Sequence, residues 1–465
     1  MALASYSSYY KAPREIIRMR NDLAALPCWY ANIGGFVLVP TDADVDAFQK
    51  QCLGKGIVPS GTCLTESQLM ETVLKKRLPL PIRCSPWGWD PALVQSLSVI
   101  NNQDSFRFSR KIGIPSSKES NSDSSSVSGE NILPAAPFSL PTIEQLNRIR
   151  ILSGRQQCVK VLEDFQDFSG ICGEAVVCQQ FDDVLLFMQN HQDVILKAPW
   201  SGSGRGLIRT SLTTWTMNQE GWVRRILRTQ GLIMAEPIYN KVEDFAMEFY
   251  MDHNHQLSFV GYSLFETDSH GNYKGNLLSS NERIVERLTQ YVPADLLISI
   301  RQRLLLSLRK LLGSDYVGYF GVDMMICQEQ TLVDESSKFS ESNDGNGCEH
   351  PSRTHLERRV GIQLERTSNQ TQNYVVHPCV EINLRMNMGV IARLLSDRYI
   401  SELSEGKYMV EHFSTDGEAF SFDSQMQSAN PLQIKNHKVV NGYFSLTPIT
   451  ETTRYQCYVI VAPIL

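Results

Sequence analysis

Short apolar runs alternate with amphipathic stretches in the first hundred residues. "GGFVLVP" at 34–40 is an apolar run bounded by glycine and proline, which predicts a buried strand. "DADVDAFQKQCLGKG" follows with helical spacing and a capping-type aspartate at its start. "ESQLMETVLKKRL" predicts a second helix, and "LPIRC" a second strand. This alternation favours a parallel sheet, so we expect an α/β domain over residues 1–115.

Longer strands and helices alternate in the rest of the chain. "PTIEQLNRIRILSGRQQCVKVLEDF" predicts a long helical stretch with a break near Ser153–Gly154. "DFAMEFYMD" and "LSFVGYSLFET" predict two strands of one antiparallel sheet, joined by the polar turn "HNHQ". Residues 279–315 predict two helices, whereas "YFGVDMMIC" and "HPCVEINLR" predict strands. The last segment, 399–465, is β-rich. The pattern therefore indicates a mixed fold, with α/β and α+β parts.

Three polar stretches interrupt these patterns. Residues 116–135 contain "SSKESNSDSSSVSGE", which has too few apolar side chains to order itself and predicts a flexible linker. Residues 329–372 are polar and predict an insertion, and residues 414–430 are a milder irregular case. We expect a second domain over 136–398 that carries the insertion, followed by the carboxyl-terminal segment 399–465.

Composition and charge narrow the class of protein. The 465 residues are 42% hydrophobic and 20% charged, as in ordinary globular proteins, and the net charge of −6 argues against a nucleic-acid partner. No apolar stretch of about 18 residues is present, and the amino terminus does not resemble a signal peptide. The eleven cysteines are scattered without a CxxC motif, which is typical of reduced thiols. We expect a cytoplasmic protein without a membrane span; its oligomeric state is not predicted.

A lysine followed by a loop of small residues is the first candidate site. In "ILKAPWSGSGRGL", Lys197 ends an apolar run. Glycines let backbone N–H groups approach an oxyanion, and the lysine adds a positive charge, so the segment suits a phosphate. A flexible surface turn would have the same composition, and the loop matches neither Walker A nor GxGxxG. The loop candidates are Ser201, Gly202, Ser203, Gly204 and Gly206.

A polar row on an apolar strand is the second candidate site. In "CVEINLRMNMG", alternation places Glu381, Asn383 and Arg385 on one side of a strand and apolar residues on the other. The acid and amide oxygens suit Mg²⁺, and the guanidinium suits a phosphate or a substrate carboxylate. Asp323, in "GYFGVDMMI", would reach the same metal from an antiparallel neighbouring strand. An exposed hairpin with ordinary charges is the alternative.

The order of these motifs resembles the ATP-grasp superfamily. In that family a strand lysine and a mobile glycine loop close over the phosphates of ATP, and acids on two neighbouring strands hold Mg²⁺ or Mn²⁺. The resemblance covers about residues 140–397 and implies an ATP-grasp fold after an α/β domain. One departure is the length between the acids: more than fifty residues separate Asp323 from Glu381, where most members have a short turn.

The resemblance also implies ligands for the rest of the nucleotide. "LIMAEPIYNKVEDFAMEF" matches the adenine hinge, with Glu236 as the hinge acid. The carbonyl of Pro237 and the N–H of Tyr239 would contact adenine, and Asp244 would lie near the ribose.

Two further basic positions follow from the resemblance. Arg155 matches the residue that reaches the α-phosphate, and Lys160 competes with it for this role. Lys274 matches a further phosphate-side lysine, although a solvated loop lysine is an equal interpretation.

The implied activity is that of an ATP- and Mg²⁺-dependent ligase. ATP would phosphorylate a carboxylate to an acyl phosphate, which an amine or similar nucleophile then attacks, with Lys197 and Arg385 as catalytic residues. A phosphotransferase and a non-catalytic nucleotide-binding regulator are the alternatives. In "RCSPWGWD" at 83–90, Trp87 or Trp89 would either pack on a substrate or fix a turn. The sequence does not identify the carboxylate or the amine.

Overall fold

The computed structural model describes residues 6–40, 43–76, 81–101, 138–201, 206–267, 273–329 and 373–464. The predicted linker at 116–135 lies outside these residues, as does all of the predicted insertion except its first residue. Among the described helices, none is long and apolar enough to cross a membrane.

The amino-terminal part contains two small parallel sheets. Strand β1 pairs in parallel with β2, and β3 with β4. Helical crossovers between paired strands explain the parallel direction. The expected parallel arrangement is present, but as two separate two-stranded sheets. Its elements are α1 (Arg14–Asp22), a 3₁₀ turn (Leu26–Trp29), β1 (Phe36–Leu38), α2 (Ala43–Gly54), β2 (Thr62–Leu64), α3 (Glu66–Lys76), β3 (Ile82–Arg83), α4 (Pro91–Asn101) and β4 (Phe138–Ser139).

A four-stranded antiparallel sheet follows, in the order β5-β8-β6-β7. Helix α5 begins with a capping box, in which Thr142 and Gln145 satisfy each other's backbone N–H groups. The long helical stretch predicted here is broken after Leu152. The elements are α5 (Ile143–Leu152), α6 (Gln157–Glu163), β5 (Val176–Cys178), α7 (Phe181–Asn190), β6 (Val194–Lys197), β7 (Leu207–Thr210), α8 (Met217–Gln230) and β8 (Ile233–Pro237).

A nine-stranded antiparallel sheet forms the largest layer, in the order β13-β12-β9-β10-β11-β14-β17-β16-β15. The carboxyl-terminal strands extend this sheet. Residues 418–429, predicted to be irregular, form a helix instead, because Ala419 and Asp423 on one of its sides are buried. The elements are β9 (Lys241–Met251), β10 (Leu257–Thr267), β11 (Tyr273–Leu278), α9 (Asn281–Leu288), α10 (Ala294–Leu312), β12 (Gly318–Gln328), β13 (Tyr374–Asn383), α11 (Met388–Tyr399), β14 (Ser404–His412), α12 (Glu418–Ala429), β15 (Gln433–Lys435), β16 (Lys438–Ser445) and β17 (Tyr455–Pro463).

The two faces of the nine-stranded sheet differ in polarity. On β9, alternate residues such as Phe245, Met247 and Phe249 are fully buried. They share one core with apolar residues of α10, among them Ile300 and Leu304. Each such side chain contributes about 1.5–3 kcal/mol when it is removed from water. Since strand residues alternate between faces, the intervening positions of β9 turn away from this core.

The amino-terminal strands and the carboxyl-terminal strands share a second core. Trp29 is completely buried, and its indole Nε1 donates to the Leu446 carbonyl at 2.6 Å. Its ring packs edge-on against Tyr399 and Phe444. The predicted fold class, an α/β part followed by antiparallel sheets with helices, is confirmed.

Candidate functional site

The register of β12 and β13 brings the predicted metal ligands together. Asp323 lies directly opposite Glu381, and Gly321 lies opposite Asn383. The amide Nδ2 of Asn383 donates to Asp323 Oδ2 at 2.9 Å. A Cβ on Gly321 would overlap Glu248 Oε2 and lie 2.6 Å from Asn387 Nδ2, so glycine leaves the space that these two side chains occupy beside the cluster. Two carboxyl groups and one amide therefore occupy one small area of the sheet.

The electrostatics of this cluster suit a cation. Burial raises the pKa of Asp323 well above its usual range, and the carboxylates of Glu381 and Glu248 raise it further. Across the described parts of the chain, no group of three or more His, Cys, Asp or Glu residues is arranged to hold a metal ion without further ligands. Two carboxylates and an amide oxygen, with positions left for water and phosphate, are the usual environment of Mg²⁺ in nucleotide sites. The residues therefore fit the metal that the sequence predicts.

Lys197 and Glu236 form a buried ion pair in the four-stranded sheet. Strands β6 and β8 are antiparallel neighbours, which places the two side chains side by side. Lys197 Nζ lies 2.5 Å from Glu236 Oε2, and both residues are at least 95% buried, with exposed fractions of 5% and 4%. The predicted phosphate lysine and the predicted hinge acid therefore neutralise each other.

Arg155 connects the small-residue loop to the metal cluster. It lies between α5 and α6 and is only 6% exposed. Its Nη1 donates to the Ala198 carbonyl at 2.7 Å and to the Ser201 hydroxyl. Its Nη2 donates to Glu381 Oε2 at 2.9 Å. Lys160, the competing candidate, is exposed on α6. The structure thus brings Arg155, and not Lys160, into contact with the other candidates.

The base of the small-residue loop is tightly closed. Gly206 has a φ of +75°, and its carbonyl accepts from the Ala198 N–H at 2.9 Å. A Cβ at this position would lie 2.7 Å from Ser201 Cβ, so glycine is required for both space and conformation. Three of the predicted loop residues lie outside the described part of the chain: Gly202, Ser203 and Gly204.

The predicted adenine hinge joins the two large sheets. Pro237 ends β8, and β9 begins only a few residues later. The Tyr239 hydroxyl accepts from the Glu174 N–H at 2.8 Å. Asp244 lies on β9, where Thr267 donates to its Oδ2 at 2.9 Å and the Lys241 ammonium also contacts it. These residues lie between the two sheets, and Asp244 is already bonded to protein side chains.

Two predicted residues differ in position from the rest. Lys274 is exposed on β11, which β10 separates from β9, and no hydrogen bond or ion pair between described residues joins it to the cluster. Arg385 lies just beyond the strand, which ends at Asn383, so the predicted alternation does not extend to it. Its Nη2 nevertheless donates to Asn383 Oδ1 at 2.9 Å, which keeps the guanidinium beside the cluster.

The tryptophan-containing loop contacts the segment that carries Arg385. The Met386 N–H donates to the Trp87 carbonyl at 2.9 Å, and Gly88 lies against the stem of Arg385. The Trp87 ring is 38% exposed. Trp89 instead packs in the small amino-terminal core. Trp89 therefore helps to fix the turn, whereas a substrate contact of Trp87 stays a prediction.

Sequence reasoning missed Glu248, an acid that is 1% exposed beside the cluster. Ser263 Oγ donates to its Oε1 at 2.8 Å, and Asn387 Nδ2 donates to its Oε2 at 3.1 Å. A Cβ on Gly389 would overlap Oε1, so glycine is required there. Burial raises the pKa of Glu248 to about 7. The available signal was an acid within the apolar run "FAMEFYM".

His377 was also missed. It is fully buried on β13, and its ring packs edge-on against Tyr239, with centroids 5.4 Å apart. Neither ring nitrogen has a hydrogen-bond partner among the described residues. Burial and the nearby charge of Lys197 lower the pKa of His377 to about 3, so the imidazole is neutral at physiological pH.

Comparison with known proteins gives similarity only to solved structures. No family model and no curated protein matches the chain. N5-carboxyaminoimidazole synthetase from Staphylococcus aureus, complexed with ADP, aligns over 93% of this chain and 94% of its own, with 10% identity and a TM-score of 0.40. Biotin carboxylase from Campylobacter jejuni, in a β-γ-ATP complex, aligns over 95% and 85%, with 12% identity and a TM-score of 0.40.

A third similar structure is the biotin carboxylase domain of 2-oxoglutarate carboxylase from Hydrogenobacter thermophilus, in complex with MgADP, ADP and bicarbonate. It aligns over 93% of this chain and 87% of its own, with 10% identity and a TM-score of 0.43. Because all three scores lie below 0.5, these similarities do not decide the activity of this chain.

Proposed function

We propose that this chain binds ATP with Mg²⁺ and uses it to activate a carboxylate for attack by an amine or similar nucleophile. The observation that carries the proposal is the meeting of three distant segments. Arg155 contacts the start of the small-residue loop on one side and Glu381 of the metal cluster on the other. Lys197 leads into that same loop. These contacts support a single site in which the cations would bind phosphate and the oxygens would bind Mg²⁺.

The residues divide into metal, phosphate and base ligands. Asp323, Glu381 and Asn383 would hold Mg²⁺, which supplies neutralisation of the negative charge on the transferring phosphoryl group. Lys197 and Arg155 would bind phosphate oxygens. The loop residues 201–206 would cover the phosphates and exclude water, which protects an acyl phosphate from hydrolysis. The backbone of Pro237 and Tyr239 would hold adenine.

Arg385 and Trp87 would bind the substrate that carries the carboxylate. Arg385 takes part in no ion pair between described residues, whereas Arg155 and Lys197 each have a carboxylate partner. An unpaired guanidinium beside the metal cluster suits a substrate carboxylate. The exposed Trp87 ring would contact the remainder of that substrate. Binding and charge neutralisation suffice for such chemistry, so no covalent nucleophile is required.

The experiment that tests this function is ADP release with a mixed pool of carboxylates and amines. A ligase releases ADP and phosphate only when both are present. Release with a stable phosphorylated acceptor would indicate the phosphotransferase alternative, and binding of ATP without release would indicate the regulator. Absence of any ATP binding by the folded protein contradicts the proposal.

Lys197→Met is the matched variant for this assay. We expect loss of turnover, since the positive charge at the phosphates is removed. The substitution also leaves the buried Glu236 carboxylate unpaired, which costs about 3–5 kcal/mol of stability. The double variant Lys197→Met with Glu236→Gln removes that unpaired charge. Turnover retained by either folded variant would contradict the role of Lys197.

A further inference from the structure

The two cations assigned to phosphate are both already paired with carboxylates. Arg155 Nη2 lies 2.9 Å from Glu381 Oε2, and the side chains are 6% and 27% exposed. Lys197 Nζ lies 2.5 Å from Glu236 Oε2. An incoming triphosphate therefore meets cations whose charge is largely neutralised by the protein itself. Phosphate binding has to compete with these internal anions.

Glu381 has two assignments that conflict. As a metal ligand it would direct its carboxylate at Mg²⁺, but in the structure that carboxylate accepts from Arg155. An oxygen that holds a guanidinium N–H is a poorer ligand for a cation, because the two positive groups repel each other across it. Binding of the metal by Glu381 and release of Arg155 should therefore occur together.

Arg155 can change partner without leaving the site. Its Nη1 is held by the Ala198 carbonyl and the Ser201 hydroxyl, and neither is an anion. Only Nη2 of Arg155 donates to Glu381. Loss of Glu381 would leave the guanidinium anchored at the start of the small-residue loop, with one free edge. That edge is the part that a phosphate oxygen would take.

We propose that the Glu381 carboxylate occupies the place on Arg155 where a phosphate would bind. A divalent cation that binds Glu381 would separate it from Arg155, so that metal and nucleotide bind as one unit. This inference rests on the proposed function of the site. It assigns Glu381 two opposed effects on nucleotide binding. The carboxylate favours the metal-bound nucleotide and weakens binding of the metal-free nucleotide. Metal and nucleotide are then coupled ligands, each raising the affinity for the other.

The test is calorimetric titration of ADP into wild type and Glu381→Gln, once with excess EDTA and once with Mg²⁺. In EDTA, we expect Glu381→Gln to bind ADP tighter than wild type by roughly tenfold, the effect of freeing one charge-assisted hydrogen bond. In Mg²⁺, the order reverses, because the variant lacks a metal ligand. A simple loss of a metal ligand predicts no gain in EDTA, and equal or weaker binding there overturns the inference.

Removal of a negative charge would by itself reduce repulsion of ADP, and two variants separate this effect. Glu381→Asp keeps the charge but shortens the side chain, so it should also gain affinity in EDTA. In an Arg155→Met background, Glu381→Gln should give a clearly smaller gain, because only the repulsion of ADP is relieved and there is no guanidinium to release. A gain of equal size in that background would show repulsion alone and overturn the inference.

A distant ion pair provides the control for charge deletion. Arg287 Nη2 lies 2.6 Å from Glu405 Oε2, and β14, which carries Glu405, is separated from β13 by four strands. Glu405→Gln should leave ADP binding unchanged in both media. If folded wild type binds no ADP even with Mg²⁺, the proposed function itself fails. If wild type binds MgADP and Glu381→Gln shows no gain in EDTA, only the present inference fails.

Discussion

Glu248 should make the stability of this protein fall as the pH rises. The side chain is 1% exposed, and its carboxyl group is surrounded by Ser263, Asn387 and the backbone of Gly389. The perturbation is Glu248→Gln, which keeps the size of the side chain and a hydrogen-bonding amide but cannot ionise. The partners remain usable, since the Ser263 hydroxyl is able to accept as well as donate.

The magnitude follows from the pKa. Burial raises the pKa of Glu248 from 4.5 to about 7. Each pKa unit corresponds to about 1.4 kcal/mol, so ionising this group in the folded protein costs about 3 kcal/mol more than in the unfolded chain. Between the two pKa values the folded state binds more protons than the unfolded state. The contribution of Glu248 to the free energy of unfolding is therefore greatest at low pH, and it decreases as the pH rises from 4.5 to 7.

The assay is urea unfolding of wild type and Glu248→Gln at pH 5 and pH 8, with the free energy of unfolding obtained by linear extrapolation. We expect the variant to gain about 2–3 kcal/mol relative to wild type between these pH values. Exposed Glu220, which pairs with Arg224 on α8, gives the control Glu220→Gln, which should show no such gain. Parallel pH curves for wild type and Glu248→Gln would refute the reasoning.

Four further predictions concern stability. His377→Phe should resist acid better than wild type. Because the pKa of His377 is lowered, the free energy of unfolding of wild type decreases by about 3 kcal/mol as the pH falls from 6.5 to 4. Equal acid unfolding curves would contradict this. Gly389→Ala should cost about 2 kcal/mol or more because its Cβ overlaps Glu248. Gly221→Ala, in open space on α8, should instead stabilise by about 0.5–1 kcal/mol, and equal melting shifts for the two would contradict the packing argument. Thr216→Ala should cost about 1 kcal/mol by removing the capping box of α8, measured by thermal unfolding.

Local periodicity determined much of the fold. Apolar runs of strand length located β6, β8, β12 and β13, and the break in the helical stretch near residue 153 separates α5 from α6. The alternation around Glu381 and Asn383 also predicts which side of β13 is polar, without reference to a partner strand. These features depend on neighbours within a few residues, where side-chain direction is fixed by the repeat of the strand or helix.

Register and distant contacts were decided only by the tertiary structure. The sequence suggested that Asp323 reaches Glu381, but their direct pairing depends on how two strands far apart in the chain align. The choice of Arg155 over Lys160 depends on how the turn between α5 and α6 packs against Ala198 and Glu381. In the sequence, Glu248 does not differ from other acids in strands. Its burial and its hydrogen bonds from Ser263 and Asn387 are visible only in the structure.

The sequence by itself therefore determined which residue types are present and which side of each element they occupy. Only the tertiary structure decided which of them meet and which charges neutralise each other, as Lys197 and Glu236 do. The physical reason is that the burial and pairing of a charge depend on atoms contributed by remote segments. A repeat of two or 3.6 residues fixes the side of its own element that a residue occupies, and not the remote residue that it meets there.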